Sequence, residues 1–320
     1  MKVIVTGGAG FIGSHLVDRL IELDEDILVI DNFSTGSLDN IYHNLGRKNF
    51  NFIKSDLKKP EDWSPSFRGV DIVFHYASNP DIASSYMNPE LHFMENVLTT
   101  YNVLEAARKY EVDSIIYASS YTVYGEVSKL PTPEDYHPLK PISSYGSFKL
   151  ACEDLIRGYG EVYGIKYVIL RYGEVIGGRS RRDMIYGFVK SLIDNPSVLE
   201  IRGDGTQKLS FIYINDAIDA TIHIYRMLTE NKVRDEIYNI SSMDWITLSD
   251  AARIVVKKMK LGRVVFHLNP ITKDGRGWIG EVKYSLPDIT KLLGTGFKPR
   301  HNSSGAVEVS VDDYLKALKP

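Results

Sequence analysis

Cysteine is almost absent from this chain of 320 residues, which has only Cys152. One cysteine excludes an intramolecular disulfide and fits a reducing compartment, so we expect a cytoplasmic location. Long apolar runs are lacking too, because no stretch approaches the roughly 18 residues of a membrane span. Glycines interrupt the first apolar run, MKVIVTGGAG, so we expect no N-terminal signal. These features predict a protein without a membrane partner.

An excess of charge of one sign is also missing. The formal net charge of −3 at pH 7 gives no reason to expect binding to nucleic acid. The 8 histidines have no ligand spacing, and no Cys/His cluster indicates a metal site. What remains is an ordinary globular composition, 43% hydrophobic and 25% charged, so a sizeable core can form.

Short apolar runs alternate with amphipathic runs through the first half of the chain. Strands are predicted at residues 3–5, 27–30, 51–54, 71–74, 113–118 and 166–170, and helices at 11–23, 90–110 and 144–163. Strands separated by helices imply βαβ units. The pattern therefore predicts an α/β fold with a Rossmann-type, doubly wound, mostly parallel sheet.

The pattern loosens after residue 172. Helices are predicted at 183–194, 215–228 and 247–260, with a turn at 201–205. We expect a Rossmann domain over 1–172, to which a segment at about 210–243 returns. Residues 173–320 should form a smaller C-terminal α/β lobe that binds substrate.

A glycine motif follows the first strand and opens the first helix. Gly7, Gly10 and Gly13 have the spacing G-x-x-G-x-x-G. The chain must turn sharply, approach a pyrophosphate and pack a helix close to a strand, and glycine permits all three. A glycine-rich turn occurs in other α/β folds, but the position between strand and helix favours a dinucleotide site.

An acidic residue stands where a ribose-binding group is expected. Asp31 ends the second strand, and its carboxylate would accept hydrogen bonds from ribose hydroxyls but repel a 2′-phosphate. The sequence therefore predicts NAD rather than NADP. Asp56, after the third strand, either contacts the adenine side or is a solvated loop acid.

A tyrosine and a lysine share one helical face. Tyr145 and Lys149 are four residues apart, the spacing of neighbours on a helix. A nearby cation stabilises phenolate and lowers the pKa of a tyrosine from about 10 towards working pH, which makes Tyr145 a candidate general base. With 20 tyrosines in the chain such a pair also arises by chance, so the position after the fifth strand carries the argument.

Two serines end that fifth strand. Ligands of open α/β sheets bind outside the carboxyl ends of the strands, so Ser119 or Ser120 could donate a hydrogen bond to a reacting oxygen. A strand-end cap is the alternative for either serine.

With these residues in view, the chain resembles the extended short-chain dehydrogenase/reductase family, and most closely its UDP-glucose 4-epimerases of archaeal type. The resemblance covers essentially the whole length and rests on stretches such as VTGGAGFIGSHLVD, IDNFSTG, YASSYTVYGE, PISSYGSFKLACE and FIYINDAIDA. It implies a homodimer that pairs through the helices at 90–110 and 144–163.

The resemblance also implies roles for individual residues. NAD would be bound by Gly7, Gly10, Phe11, Ile12, Gly13, Asp31, Asn32, Asp56, Leu57, Ala77, Asn96, Ser119, Tyr145 and Lys149. The catalytic group would be Ser120, Tyr145 and Lys149, and the UDP-sugar would also contact Glu174 and Arg276.

The implied reaction is a reversible oxidation at C4 of the sugar. Tyr145 would take the proton of the 4-hydroxyl while the C4 hydride passes to NAD and later returns to the opposite face. Relatives that dehydrate or decarboxylate usually carry an acid before V-Y-G, where this chain has Thr122, so the resemblance favours simple epimerisation.

Three positions depart from the family pattern. Glu174 replaces the usual Asn of R-Y-x-N, Leu209 stands where a basic residue usually meets the diphosphate, and Ala83 replaces another basic residue. At about 4 Å an ionised Glu174 would repel a diphosphate by roughly 1 to 4 kcal/mol. Arg276 remains as a phosphate clamp.

Two other functions are compatible with the sequence. One is a nucleotide-sugar oxidoreductase or dehydratase of the same family, which would release NADH or need added NAD. The other is a non-enzymatic NAD-binding relative, which Glu174 and Leu209 favour and the intact Ser120, Tyr145 and Lys149 oppose.

Overall fold

The computed structural model of the chain describes residues 1–318, which divide into two compact units. The first unit comprises residues 1–123, 144–171 and 221–238, and the second comprises 124–143, 172–220 and the chain from 239 onward. The prediction gave the first unit 1–172 and a returning segment at about 210–243, whereas the contacts assign 124–143 to the second unit and return 221–238 to the first. The backbone of Thr132 explains part of the difference, because it pairs with Leu286 and Asp288 of the second unit.

Short strands and helices follow one another along the whole described chain. The strands within residues 1–318 are β1 (Lys2–Thr6), β2 (Asp26–Asp31), β3 (Phe50–Lys54), β4 (Ile72–His75), β5 (Ser114–Ser120), β6 (Lys166–Tyr172), β7 (Glu174–Ile176), β8 (Val198–Arg202), β9 (Lys208–Leu209), β10 (Phe211–Tyr213), β11 (Glu236–Ile240), β12 (Ile246–Thr247), β13 (Val265–Asn269) and β14 (Tyr284–Ser285). The α-helices are α1 (Phe11–Glu22), α2 (Pro89–His92), α3 (Thr99–Lys109), α4 (Ser144–Tyr163), α5 (Met184–Asp194), α6 (Ile214–Thr229), α7 (Leu248–Lys258), α8 (Thr290–Gly294) and α9 (Ser303–Ala317).

One seven-stranded sheet organises the first unit, with the strand order β11-β6-β5-β4-β1-β2-β3. β1 pairs in parallel with β2 on one side and with β4 on the other, so the strand order reverses beside β1. This order confirms the predicted Rossmann-type, doubly wound sheet. The carboxyl ends of its parallel strands lie along one edge, which places Thr6, Asp31, His75 and Ser120 at that edge.

Burial on both faces explains the composition of the central strands. Val3, Ile4 and Val5 of β1 are fully buried, and every residue of β4 and β5 is buried as well. Strands that are covered by helices on both faces have continuous apolar sequences. The strands of the first unit were predicted from these continuous apolar runs.

The predicted helix at 90–110 is interrupted. The chain runs through α2, a π-helical segment over Phe93–Leu98, and then α3. Two side chains donate to the backbone carbonyl of Asn96 in the π-helical segment, Thr100 Oγ1 at 2.7 Å and Cys152 Sγ at 3.4 Å. Such single π turns occur frequently at functional sites.

Small sheets and helices build the second unit. β8 pairs in parallel with β13, β7 with β10, and β9 lies between β12 and β14. The predicted turn at 201–205 was wrong at its start, because β8 continues through Arg202 to pair with β13, a strand that the sequence did not reveal. In residues 1–318 no helix has both the length and the apolar character that a membrane crossing needs.

Candidate functional site

The glycine motif forms a turn whose close contacts exclude side chains. Gly7 has φ +70°, and its N–H donates to the carbonyl of Ile30 at 2.9 Å. A Cβ at Gly7 would lie 2.6 Å from Ala77 N, and one at Gly13 would overlap the carbonyl oxygen of Gly7. No side chain of the described residues caps the start of α1 at Gly10. A bare turn leading into a helix N-terminus fits a bound pyrophosphate.

Asp31 lies beside that turn. Its carboxylate accepts hydrogen bonds from Ala9 N at 2.9 Å and from Phe33 N at 2.7 Å. Burial raises the pKa of Asp31, and the two backbone N–H groups oppose that rise. The adjacent Asn32 accepts from Ser34 N at 2.9 Å. The remaining lone pairs of the Asp31 carboxylate are suited to ribose hydroxyls.

The residues expected to surround the adenine follow β3. Asp56 accepts from Lys58 N at 2.9 Å, and its other oxygen is 3.5 Å from Lys58 Nζ. Leu57 is buried, and its carbonyl accepts from Asn102 Nδ2 at 2.8 Å. Asp56 is therefore part of a local ion pair, whereas the backbone of Leu57 is held by the Asn102 side chain of α3.

Asn96 offers an unused donor at the same edge of the sheet. Its Oδ1 accepts from Asn79 N at 2.8 Å, but its buried Nδ2 has no partner within residues 1–318. A buried amide N–H without an acceptor is costly, so a ligand or a water is expected there. Together with the bare glycine turn, this donor shows that the residues present fit a dinucleotide.

A buried histidine joins the glycine turn to Asn96. His75 Nδ1 lies 2.7 Å from Thr6 Oγ1, and its Nε2 lies 2.9 Å from Thr100 Oγ1. Because Thr100 donates to the carbonyl of Asn96, Nε2 is the donor to Thr100 and Nδ1 accepts from Thr6. Burial lowers the pKa of His75 to about 3, so the ring stays neutral. The sequence assigned no role to His75.

Tyr145 and Lys149 lie on the buried face of α4, as the spacing predicted. Lys149 Nζ donates to the carbonyl of Ala118 at 2.8 Å and lies 5.8 Å from the ring centre of Tyr145. Burial lowers the pKa of Lys149 to about 8, so the amine remains largely protonated at neutral pH. The helix thus holds a cation beside the phenol and anchors it to the end of β5.

Ser120 is prepared to act as a donor. Its Oγ accepts from Thr122 N at 3.3 Å and from Thr122 Oγ1 at 3.0 Å. Both acceptor positions of the hydroxyl are therefore used, and its proton remains available. In the sequence Thr122 was notable only as a missing carboxylate, and this contact was not predicted.

Ser119 is committed to a different partner. Its Oγ donates to Glu153 Oε1 at 2.5 Å, and Arg171 binds both oxygens of the same carboxylate at 3.0 and 2.7 Å. Glu153 is 0% and Arg171 1% exposed. The Ser119 hydroxyl therefore donates to a buried carboxylate of the protein itself. Glu153 follows Lys149 by four residues, and that helical spacing was the available signal.

The expected substrate residues lie in the second unit. Glu174 starts β7, and its N–H donates to the carbonyl of Ser210 at 3.2 Å. Leu209 is buried at 2% exposure and brings no charge. Arg276 contacts two carboxylates, with Nη1 2.5 Å from Glu126 and Nε 2.7 Å from Asp274. The sequence did not reveal these acidic partners.

A further carboxyl group near these residues was missed. Glu281 is 2% exposed and accepts from Gly277 N at 2.6 Å. Burial raises the pKa of Glu281 to about 7, and the charge of Glu174 adds to the rise.

Within residues 1–318 no group of three or more His, Cys, Asp or Glu side chains could hold a metal ion.

Known proteins that resemble this chain belong to one enzyme family. A family model described as the NAD dependent epimerase/dehydratase family matches residues 3–241. A protein of Methanocaldococcus jannaschii that carries the provisional name UDP-glucose 4-epimerase is 36% identical over 303 residues, 93% of each chain.

Solved structures agree with that match. The crystal structure of a UDP-galactose 4-epimerase is 37% identical, covers 100% of both chains and has a TM-score of 0.88. A UDP-glucuronic acid 4-epimerase of Bacillus cereus, in complex with UDP-glucuronic acid and NAD, is 30% identical with a TM-score of 0.88 and covers 99% of this chain and 100% of its own.

Proposed function

Because the chain belongs to the NAD dependent epimerase/dehydratase family, we propose that it is a UDP-hexose 4-epimerase. Its cofactor is NAD. Its substrates are UDP-glucose and UDP-galactose, or their N-acetyl or uronic relatives. The observation that carries the proposal is the arrangement of Tyr145, Lys149 and Ser120, with the cation held beside the phenol and the serine hydroxyl left as a donor.

Each of these three side chains has a distinct task. Tyr145 removes the proton of the 4-hydroxyl as general base and returns it at the end of the cycle. Lys149 stabilises the phenolate electrostatically from its anchor on the carbonyl of Ala118. Ser120 donates a hydrogen bond to the reacting oxygen. Bound NAD supplies the reversible acceptance of the C4 hydride.

The cofactor is held by residues at the carboxyl edge of the sheet. The backbone from Gly7 to Gly13 binds the pyrophosphate, and Asp31 with Asn32 binds the adenosine ribose. A 2′-phosphate would meet the buried carboxylate of Asp31, which supports NAD rather than NADP. The unpartnered Nδ2 of Asn96 supports its place along the cofactor.

Thr122 favours epimerisation over the other reactions of the family. Its hydroxyl donates to Ser120 and, unlike a carboxyl group, does not ionise near neutral pH. Elimination of water or loss of a carboxyl group needs an additional acid or base beside the sugar. We therefore expect the ketone formed at C4 to be reduced again rather than processed further.

Proton NMR of the anomeric signals tests the activity. Purified protein with UDP-galactose, and no added NAD, is expected to form UDP-glucose until the two sugars reach equilibrium. Absorbance of NADH is followed in the same samples. Net NADH release would instead identify an oxidoreductase, and no reaction with a panel of UDP-hexoses even after NAD addition would refute the epimerase proposal.

We also propose a homodimer formed by the helices expected to pair. Phe93 and Tyr101 on one helical segment, and Val162 and Tyr163 on α4, are 44 to 71% exposed. The guanidinium of Arg108 lies over the ring of Tyr163 at 5.3 Å, which joins the two helices into one aromatic face. A group of exposed aromatic and aliphatic side chains on two neighbouring helices is suited to contact with a second copy of the chain.

Light scattering after size-exclusion chromatography tests the dimer. The wild-type chain, of 36.2 kDa, should elute at twice that mass. Val162→Glu should yield monomers, because burying a carboxylate in the apolar interface carries a desolvation cost in each copy. Val265→Glu, at an exposed position of β13, is the matched control and should remain dimeric. A monomeric wild-type protein would refute this assembly.

A further inference from the structure

Arg276 is the expected phosphate clamp, yet protein carboxylates surround much of its guanidinium. Nη1 is 2.5 Å from Glu126 Oε1 and also donates to the carbonyl of Glu281, while Nε is 2.7 Å from Asp274. Nη2 has no partner in the part of the chain that the structure describes. The side chain is 16% exposed, so solvent or a ligand can still reach it.

The two carboxylates that contact Arg276 differ in how firmly the structure holds them in place. Asp274 lies in the same loop, where Thr272 Oγ1 accepts from the backbone N–H of Arg276 at 2.9 Å and donates to Asp274 at 2.6 Å. Glu126 is 150 residues away in sequence, and its side chain is 37% exposed. The loop therefore keeps Arg276 in place without help from Glu126.

A diphosphate and Glu126 compete for the same donors. Both are anions that accept from a guanidinium, and Glu126 Oε1 uses Nη1, the nitrogen next to the unpartnered Nη2. A phosphate that approaches the guanidinium end-on forms two parallel hydrogen bonds through Nη1 and Nη2. It can form that pair only after the carboxylate of Glu126 has left Nη1, and Asp274 on Nε opposes the alternative approach through Nε and Nη2.

We propose that Glu126 is an internal anion that competes with the nucleoside diphosphate for Arg276 and thereby sets the affinity of the site. The inference rests on the proposed function in taking a UDP-sugar as the ligand. It assigns Glu126 a part in specificity: the residue weakens binding of ligands with one negative charge more than that of a diphosphate, which can displace it. The loss of basic character at Leu209 makes this control stronger, because fewer other cations share the phosphate charge.

Glu126→Gln tests the competition with little structural change. The amide oxygen can still accept from Arg276 and from Lys283 N, which is 3.1 Å from Oε1, but the negative charge is gone. Calorimetric titration with UDP and with inorganic pyrophosphate should show binding about two- to fivefold tighter than in the wild type, the range for one partly exposed charge pair. Asp312→Asn, which removes a carboxylate paired with Lys258, is the control and should bind as the wild type does.

The same substitution in an Arg276→Met background tests whether Glu126 affects ligand binding through Arg276. There Glu126→Gln should change the affinity for either ligand by less than about twofold, because the contested guanidinium is absent. Unchanged or weaker binding in the single variant would overturn the proposal, as would an equal gain in the Arg276→Met background. Tighter pyrophosphate binding by a protein that converts no UDP-hexose would support the role of Glu126 and refute the proposed activity instead.

Discussion

Replacement of Tyr145 by phenylalanine should lower turnover of the UDP-hexose by at least about 100-fold. The hydroxyl is the only part removed, and a positioned general base contributes about 10² to 10⁴ to the rate. The ring remains to pack on α4, where Tyr145 is 7% exposed, so the fold and the cofactor should be retained. The measurement is kcat from the NMR time course, with the bound NAD quantified after denaturation.

Tyr42→Phe is the matched control for this variant. Tyr42 is 66% exposed, so loss of its hydroxyl should leave kcat unchanged. Binding of UDP to the Tyr145 variant should also stay near the wild-type value, because its effect is on the chemical step. Turnover within tenfold of the wild type would show that another group removes the proton.

Arg171→Met should destabilise the first unit by about 3 to 5 kcal/mol. The substitution removes the bidentate partner of the buried Glu153 carboxylate and leaves it only the longer ion pair with Arg157, whose Nη2 is 3.8 Å away and whose side chain is partly exposed. Breaking one side of a buried ion pair has a cost of this size. A typical domain has a total stability of about 5 to 15 kcal/mol, so the loss should be evident as a lower midpoint of urea unfolding. Catalysis should fall too, because Glu153 also holds Ser119 next to Ser120.

Two further variants determine whether the charge pair is responsible. Arg19→Met removes an arginine whose partner Glu22 is exposed, and should change stability by no more than about 1 kcal/mol. Arg171→Met combined with Glu153→Leu should recover much of the loss, since apolar pairs replace buried ion pairs at little cost. Equal destabilisation by the two arginine substitutions would contradict this explanation.

Local patterns were enough to predict the architecture of the first unit. Helix α4 was predicted at 144–163 and is observed as Ser144–Tyr163, because apolar residues at intervals of three and four mark a buried helical face. Strands β1, β4 and β5 were visible as continuous apolar runs, since they are buried on both faces. The short strands β7, β9 and β13 were missed, because two to five residues carry too little periodicity.

The candidate site divides in the same way. The shared buried face of Tyr145 and Lys149 could be predicted because residues i and i+4 on a helix face the same direction. The contact of Thr122 with Ser120 was missed although the two are close in sequence, since it depends on the 3₁₀ turn after β5. The position of Asp31 at the carboxyl edge of the sheet could be predicted, because the residue ends a buried strand.

The sequence by itself determined that this chain builds a glycine turn between a strand and a helix, and that a lysine lies one helical turn from a tyrosine. Both follow from backbone sterics and helix geometry, which act over a few residues. Only the tertiary structure decided that Arg276 meets Glu126 across 150 positions and that Glu153 meets Arg171 in the core. Such charge pairs depend on how distant segments pack, and that packing decides whether a cation is neutralised within the protein or left for a ligand.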